Sequence, residues 1–202
     1  MRLKEKEKKM EYKITLPLTQ EDAEKLRIGD YVYLSGQMYV ARDAAHKRMT
    51  ETLERGEELP IQLKDETIYY MGPSPAREGR PIGSAGPTTA SRMDKYTPRF
   101  LDMGLRGMVG KGKRTKEVLD AVIRNHAVYF AAIGGEGALL SKKILSSEVT
   151  AYEDLGAEAI RHITISDFPV VVVADCHGGN LYESAIKEYR VDYNKKGTTK
   201  AN

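Results

Sequence analysis

The sequence predicts one domain of the α/β class, with layered sheets and helices. Three observations support this prediction. Segments with the two-residue period of strands alternate with segments that have the period of helices, most predicted strands end in glycine-rich turns, and neither a repeat nor a linker divides the chain. We place a charged flexible tail at residues 1–10 and a single domain at residues 11–202.

Short strands and helices are predicted to alternate in the first half of the chain. Thr19 and Asp22 resemble a capping box, so a short helix is expected between a strand at 10–18 and Gly29. The other predicted elements are strands at 31–34 and 37–41 around a Ser35-Gly36 turn, a helix capped by Asp43 that ends before Gly56, a strand at 67–70, and a long loop at 72–87 with four prolines and four glycines.

Caps and a proline mark the predicted helix starts in the second half. Thr97-Pro98 places proline in the first turn of a helix, and Thr115 precedes a segment with helical period. The predicted elements are helices from about Thr89, from Thr97, at 115–125, 137–145 and 153–160 and from Gly178-Gly179 to about Arg190, and strands at 106–109, 127–133, 162–165 and 170–174.

The composition excludes several classes of protein. The chain has 202 residues and one cysteine, Cys176, which excludes a disulfide framework and any iron–sulfur cluster held by this chain alone, since a cluster needs about four cysteines. The net charge of +3 does not suggest binding to nucleic acid. No apolar run reaches the roughly 18 residues of a membrane span, and none follows the charged N-terminus, so we expect a cytoplasmic protein.

The segment Gly86-Pro87-Thr88-Thr89-Ala90-Ser91-Arg92 is the first candidate binding site. It follows the predicted long loop, and long loops in compact domains are often functional. The first N–H groups of a helix that begins at its threonines attract anions, and Arg92 lies about one turn beyond Thr88. Hydroxyl, N–H and guanidinium groups together suit a carboxylate. A threonine cap beside a surface arginine explains the same segment equally well.

Two further loops offer a cation beside a predicted helix start. Arg42 stands between a strand and a helix, as a carboxylate ligand or as a surface arginine paired with Asp43. Lys111 lies between glycines that allow close approach to an anion, although a basic surface turn fits as well. Glycine follows Lys111, so the pattern of a P-loop is absent. Three cationic loops together suggest a small anionic substrate such as a dicarboxylate.

Three other patterns carry weaker signals. The segment Ile133-Gly134-Gly135-Glu136-Gly137 follows a strand, but Leu140 stands where a dinucleotide fingerprint has its third glycine. Asp175-Cys176-His177 is better explained as a polar turn than as a metal site, because neighbours on an extended chain point to opposite sides. His46 has no second histidine beside it and is a poor metal ligand.

Several blocks of sequence resemble one family. The blocks are GPTTASRMDKY, MVGKGKRT, YFAAIGGEGALLSKKI, GAEAI and DFPVVVVAD, with ARDAAH upstream, and they cover roughly residues 14–182. In this order they resemble the beta portion of class I iron–sulfur fumarases and of the related L-tartrate dehydratases. Five ordered blocks are far more specific than any single motif above.

The resemblance implies a swivelling β/β/α domain and an active site shared between subunits. In the family, an alpha part carries three cysteines that hold a 4Fe–4S cluster, whose open iron acts as a Lewis acid on the substrate. The lack of cluster cysteines in this chain agrees with that division. The implied reaction is the reversible hydration of fumarate to L-malate, by a hetero-oligomer of two alpha and two beta chains that is inactive without the alpha subunit.

The resemblance also implies roles for five residues of this chain. Arg42, Arg92 and Lys111 would clamp the carboxylates of the substrate. Thr88 would be the base at the carbon that loses a proton, or only a substrate contact, and Thr89 would add a hydroxyl or N–H contact. A threonine is a weak base at its ordinary pKa, so Thr88 would need strong help from neighbouring charges.

Some alternatives stay open. Ser91 stands where the family often has glycine and Gly137 where it often has alanine, but neither change removes a proposed ligand. The beta subunit of an L-tartrate dehydratase, a non-catalytic binding module of the same fold, and a nucleotide-binding enzyme that uses the GKG and GGEG loops are the alternatives. L-malate and tartrate differ by one hydroxyl, whose contact can lie on the alpha subunit. The tail has no assigned role.

Overall fold

The computed structural model of the chain describes residues 10–132 and 137–189. The predicted tail lies outside the described residues except for Met10, and so do residues 133–136 of the predicted GGEG loop and everything from residue 190. Within the described ranges, no helix is both long enough and apolar enough to cross a membrane.

Strands and helices alternate through the described residues, as the sequence predicts. Two short 3₁₀ segments, Ala90–Met93 and Glu153–Glu158, lie between them. The strands are β1 (Glu11–Thr15), β2 (Tyr31–Val40), β3 (Thr67–Tyr69), β4 (Gly107–Gly110), β5 (Val128–Ala131), β6 (Ile144–Ala151) and β7 (Ile160–Ala174), and the helices are α1 (Gln20–Lys25), α2 (Asp43–Glu54), α3 (Thr97–Asp102), α4 (Lys116–Arg124), α5 (Gly137–Ser141) and α6 (Leu181–Tyr189).

Five of the strands close into a ring. The order in the sheet is β1-β2-β3-β4-β5-β7-β6, and β2 also pairs with β7, so the ring contains β2, β3, β4, β5 and β7. Strands β2 to β5 are parallel to one another, whereas β7 is antiparallel to both of its neighbours in the ring. The predicted α/β class is therefore correct, and its form is a small closed barrel with helices around it.

The ring depends on two long strands, and each was predicted as two short ones. Gly36, predicted in a turn, is a bulge with φ +110° inside β2, and a Cβ there would lie 2.8 Å from the backbone oxygen of Leu16. The bulge lets β2 leave β1 and continue beside β3. In β7 the facing irregularity lies at Asp167, whose N–H donates to Ser35 Oγ at 2.9 Å.

The side chains of the ring strands divide into two apolar clusters by alternation. Val109 and Val172 belong to one cluster, while their neighbours Met108 and Val173 belong to the other. Such alternation is expected where one face of each strand fills a closed barrel and the other carries helices. The second cluster includes residues of α2, α3 and α4, which therefore cover the outside of β3 and β4.

Several local predictions are confirmed and others are wrong. Thr19 caps α1, with its side chain accepting from the N–H of Asp22. Asp43 does not cap α2; Arg42 occupies the cap position and makes no side-chain cap bond. Residues 137–145 are not one helix, because β6 begins at Ile144. Half of the residues of β6 are exposed, and among the described strands it pairs with β7 alone, so its sequence lacks the apolar alternation that marks a strand.

Candidate functional site

The predicted long loop at 72–87 begins and ends at the same place. Met71 and Pro87 form an isolated bridge, and the Tyr69 hydroxyl donates to the backbone oxygen of Ala85. Directly after the loop, the N–H of Thr88 donates to the backbone oxygen of Tyr70 at 2.7 Å. The loop thus returns the chain to the carboxyl end of β3 and places Thr88 there.

Lys111 lies beside Thr88 and Thr89 at the carboxyl end of β4. Its N–H donates to the oxygen of Thr88 at 3.3 Å, and its own oxygen accepts from the N–H of Ala90 at 2.8 Å. Thr89 and Lys111 therefore pair as two short parallel strands would. Both side chains are exposed, and Thr88 is half-buried. The structure brings together these three predicted residues, which lie on separate blocks of sequence.

Arg42 comes from the carboxyl end of β2, the third parallel strand in this row. Its side chain is 20% exposed and lies over Gly72, where a Cβ would be 2.2 Å from Arg42 Nη1. Its nearest acidic partner is Glu158, whose Oε1 lies 3.2 Å from Nη2, and not the predicted Asp43, whose Oδ1 is 3.7 Å from Nε. Carboxyl ends of parallel strands are where ligands of α/β proteins commonly bind.

Arg92 joins this group through Asp43. The helix predicted from about Thr89 is a single 3₁₀ turn at residues 90–93, and Thr89 occupies its cap position without a side-chain cap bond. Arg92 Nη2 donates to Asp43 Oδ2 at 2.7 Å, across 49 residues of sequence. Asp43 therefore lies between the guanidinium groups of Arg42 and Arg92. We call Arg42, Asp43, Thr88, Arg92 and Lys111 the cationic face.

A layer of buried polar residues lies under this segment. Arg114, with a fully buried side chain, donates through Nε to Asp94 Oδ1 at 2.6 Å and through Nη2 to Thr97 Oγ1 at 2.9 Å. Asp94 Oδ2 also accepts the N–H of Thr115 at 2.7 Å. The guanidinium lies over the ring of Tyr70, 5.4 Å from its centre. These contacts fasten the GPTTASRMD block to the GKGKRT block.

His46 belongs to the same layer, where it is fully buried. Its Nδ1 lies 2.8 Å from the backbone oxygen of Arg42, so Nδ1 carries the proton, and Nε2 has no hydrogen-bond partner among the described residues. Its ring is 5.4 Å from those of Tyr70 and Phe100. Burial lowers the pKa of His46 from 6.5 to about 4, so the ring is neutral at pH 7. We call His46, Tyr70, Asp94, Thr97 and Arg114 the buried layer.

Sequence reasoning missed the buried layer as a unit. The segment that contains Arg114 was interpreted either as an anion site or as a basic surface turn, and both interpretations leave the arginine near solvent, where arginine usually lies. The available signal was that two blocks of the resemblance contain opposite charges near their ends, Asp94 and Arg114. Nothing local in the sequence pairs residues 20 positions apart, so the burial of this ion pair required the tertiary structure.

The glycine turn after Lys111 is held by two tyrosines. Gly112 has φ +85°, its oxygen accepts from the Tyr129 hydroxyl at 2.9 Å, and its N–H donates to the Tyr182 hydroxyl at 3.1 Å. Burial raises the pKa of Tyr129, which keeps that hydroxyl protonated as a donor. The N–H of Gly112 is therefore already used, and the two tyrosines hold the turn that follows Lys111.

The segment Asp175-Cys176-His177 is a polar turn, as predicted. The Asp175 carboxylate accepts the backbone N–H groups of Ile28, His177 and Gly179. Within the described ranges, no group of three or more acidic, histidine or cysteine side chains is placed to hold a metal ion. The implied 4Fe–4S cluster does not fit this chain, because the sequence has one cysteine and Cys176 is buried beside its own neighbour His177.

Comparison with known proteins agrees with the motif blocks. A family model described as Fumarase C-terminus matches residues 1–185. Fumarate hydratase 2 of Leishmania major is 37% identical over 181 residues, which are 88% of this chain and 32% of that protein. The anaerobic class I fumarate hydratase of Escherichia coli is 38% identical over 157 residues, which are 77% of this chain and 29% of that protein.

One relative is matched over nearly its whole length. A protein of Methanocaldococcus jannaschii, named as an L(+)-tartrate dehydratase subunit beta, is 37% identical over 185 residues, which are 89% of this chain and 94% of that protein. By contrast, the chain spans about a third of the length of the fumarate hydratases it matches, 32% and 29% in the two cases above.

Proposed function

The chain belongs to the Fumarase C-terminus family, and from that premise we propose that it is the substrate-anchoring beta subunit of a class I fumarate hydratase. The observation that carries the proposal is the meeting of Arg42, Thr88, Arg92 and Lys111 at one edge of the barrel, where β2, β3 and β4 end. The proposed reaction is the reversible hydration of fumarate to L-malate. The fold proposed for the complete domain is the swivelling β/β/α arrangement of the family.

The cationic face suits a dicarboxylate. Two arginines and one lysine lie at the same edge of the barrel as the half-buried Thr88 and the exposed Thr89, and arginine binds carboxylates through two parallel hydrogen bonds. Arg92 is 49% exposed and its Asp43 contact lies at the surface, so a substrate carboxylate can replace Asp43 as its partner. In the proposed complex, Arg42 and Arg92 hold carboxylates and Lys111 neutralises the charge near Thr88.

Thr88 is the proposed proton-transfer group. In the dehydration direction its oxygen, as the alkoxide, would take a proton from the substrate carbon next to a carboxylate and become the hydroxyl, and in hydration the hydroxyl would return that proton. The positive charges of Lys111 and the two arginines favour the negative charge that develops on the substrate during this transfer. Thr89 contributes a hydroxyl or N–H contact. If Thr88 only contacts substrate, its replacement by valine will raise KM more than it lowers kcat, whereas loss of the base will lower kcat.

The remaining parts of the active site are proposed to lie on an alpha subunit. The 4Fe–4S cluster that the family resemblance implies would be held there, since this chain has one cysteine. The near-complete match to a protein named as a beta subunit supports a partner alpha subunit. We propose a cytoplasmic hetero-oligomer of two alpha and two beta chains, which binds a small dicarboxylate and no nucleic acid.

A second function is favoured by that same match. The M. jannaschii relative is named as an L(+)-tartrate dehydratase subunit, so tartrate is the alternative substrate. A non-catalytic binding module of the same fold is the third candidate. Neither the cationic face nor the buried layer distinguishes L-malate from tartrate, because both present two carboxylates and a hydroxyl.

The test is co-expression with the cognate alpha chain without oxygen, followed by assays with fumarate, L-malate and tartrate. Replacing Arg92 by alanine should lower kcat/KM roughly 100-fold, because a charged hydrogen-bonded clamp is lost. The free energy of unfolding should change by less than about 1 kcal/mol, since the Asp43 contact is exposed. Arg99→Ala, at an exposed arginine on α3, is the matched control and should keep normal turnover.

Two outcomes would contradict the proposal. An assembled pair of chains with no hydro-lyase activity on any of the three substrates would favour the binding module. Normal turnover by Arg92→Ala in an active assembly would remove Arg92 from the carboxylate clamp.

A further inference from the structure

The GAEAI block matches the family but has no part in the site proposed above. It contains Glu158, the last residue of the 3₁₀ segment that precedes β7. Glu158 is 116 positions from Arg42 in sequence, yet its side chain, 25% exposed, reaches the start of α2. Its Oε1 lies 3.2 Å from Arg42 Nη2, and its Oε2 accepts the N–H of Ala44 at 3.0 Å.

Both oxygens of Glu158 therefore have a fixed partner. The N–H of Ala44 lies in the first turn of α2, where N–H groups have no partner inside the helix. Arg42, at the cap position, provides no side-chain acceptor for these groups. A carboxylate at this point is also favoured by the helix dipole. Glu158 thus replaces the missing cap and holds the guanidinium of Arg42 at the same time.

The backbone on both sides of Glu158 is fixed as well. Gly156 has φ +57° and ψ −113°, a conformation that suits glycine and turns the chain sharply. Ala159 and Ile160 are buried after it, with 1% and 0% exposure. The carboxylate is therefore carried by a well-anchored segment rather than by a free loop end.

Arg42 is constrained from three directions. Gly72 lies directly below Nη1, Glu158 holds Nη2, and His46 Nδ1 donates to the backbone oxygen of Arg42. An arginine side chain has four rotatable bonds, and ordering it has an entropic cost. Contacts made before substrate arrives remove part of that cost from binding.

We propose that Glu158 is a positioning residue, which fixes the orientation of the Arg42 guanidinium for a substrate carboxylate. This inference rests on the proposed function, in which Arg42 binds a carboxylate. Glu158 does not contact substrate; it acts through Arg42. Its loss weakens substrate binding more than it slows the chemical step.

Kinetics of Glu158→Ala in the anaerobic alpha–beta assembly test the proposal. The KM for the dicarboxylate should rise about 10-fold, with kcat within about 2-fold of the parent, as expected when ground-state binding alone is lost. Glu158→Gln keeps an acceptor for the Ala44 N–H and should give an intermediate KM. Glu153→Ala, at an exposed glutamate in the same 3₁₀ segment, is the matched control and should match the parent.

Coupling to Arg42 separates positioning from a general structural role. Once Arg42 is replaced by lysine, Glu158→Ala should raise KM no further, because both changes act through one contact. A KM for Glu158→Ala within 2-fold of the parent would overturn the proposal. So would a double variant whose increase in KM equals the product of the increases in the two single variants.

A crystal structure of the Glu158→Ala assembly shows the orientation of Arg42 independently of enzyme activity. A different rotamer of Arg42 is expected, and an unchanged guanidinium orientation overturns the proposal. Failure of the parent assembly to act on any dicarboxylate would instead count against the proposed function. The two failures are therefore distinguishable.

Discussion

Two arginine–aspartate pairs start from the same short segment and have opposite environments. Arg92 pairs with Asp43 in the cationic face, with the two side chains 49% and 30% exposed. Asp94, two residues further, pairs with Arg114 in the buried layer, where the exposures are 6% and 0%. The chemical groups are the same and the contact distances are 2.7 and 2.6 Å. The difference in burial therefore decides that Arg92 can exchange Asp43 for another carboxylate, whereas Arg114 cannot exchange Asp94.

Burial has this effect because water competes for exposed charges. An exposed ion pair contributes about 0–1 kcal/mol, so a substrate carboxylate can displace Asp43 from Arg92 at small cost. Removing one partner of a buried pair costs about 3–5 kcal/mol, because the other charge is left without compensation. The segment that contains both residues is thus anchored by the buried Asp94, while the exposed Arg92 remains able to change its partner.

The largest effect is expected when the buried ion pair of Arg114 and Asp94 is broken. Arg114→Met should lower the free energy of unfolding by about 3–5 kcal/mol, since Asp94 stays buried without its partner. Urea unfolding of the chain measures this. Arg114→Met combined with Asp94→Leu should recover part of the loss, because no unpaired charge remains. A loss below about 1 kcal/mol in the single variant would show that the pair is not buried in solution.

The second prediction concerns pH and the neutral His46 of the buried layer. The folded-state pKa is about 4, below the ordinary 6.5, so the unfolded chain takes up a proton first as pH falls. The stabilising contribution is complete above pH 6.5 and is lost as pH falls towards 4, by about 3 kcal/mol in total.

His46→Gln provides the comparison for that prediction. The stability of the parent relative to this variant should decline by about 3 kcal/mol between pH 7.5 and pH 4. Unfolding curves at several pH values measure the difference, in which the contributions of the carboxylates cancel. A difference that does not change with pH would mean that His46 is accessible to protons in the folded chain.

The smallest effect is expected for the exposed ion pair of Arg92 and Asp43. A double-mutant cycle of Arg92→Ala and Asp43→Ala should give a coupling energy below about 1 kcal/mol, and 1 M salt should remove it. The same cycle on Arg114 and Asp94 should give a larger coupling that salt changes little. Equal couplings for the two pairs would contradict the view that burial sets their difference.

Local sequence patterns predicted what local interactions determine. The Thr19 cap of α1 and the Thr97-Pro98 start of α3 are confirmed, because caps depend on residues three or four positions apart. The missed strand β6 and the bulge at Gly36 depend instead on pairing with β7, far away in sequence. Gly36 was predicted in a turn because glycine adopts positive φ readily, and the bulge at this position requires a positive φ as well.

Five site residues were predicted from the resemblance, and their roles in catalysis and binding remain predictions. The structure places Arg42, Thr88, Thr89, Arg92 and Lys111 at one edge of the barrel. It adds Asp43 and Glu158, which lie in the ARDAAH and GAEAI blocks but had no assigned role at the site, as the groups that hold the two arginines. Neither carboxylate is recognisable from its neighbours in sequence, because each acts on a residue of another block.

The sequence by itself determined the class of the domain, its family and the cationic groups available to a substrate, since residue types and ordered blocks are written in the chain. Only the tertiary structure decided which carboxylate meets which arginine and which ion pair is withdrawn from water. Contacts such as Arg92 with Asp43, 49 positions apart, and Ala44 with Glu158, 114 positions apart, exist because the barrel closes. Ring closure brings distant segments together, and the burial it creates sets the strength of each pair.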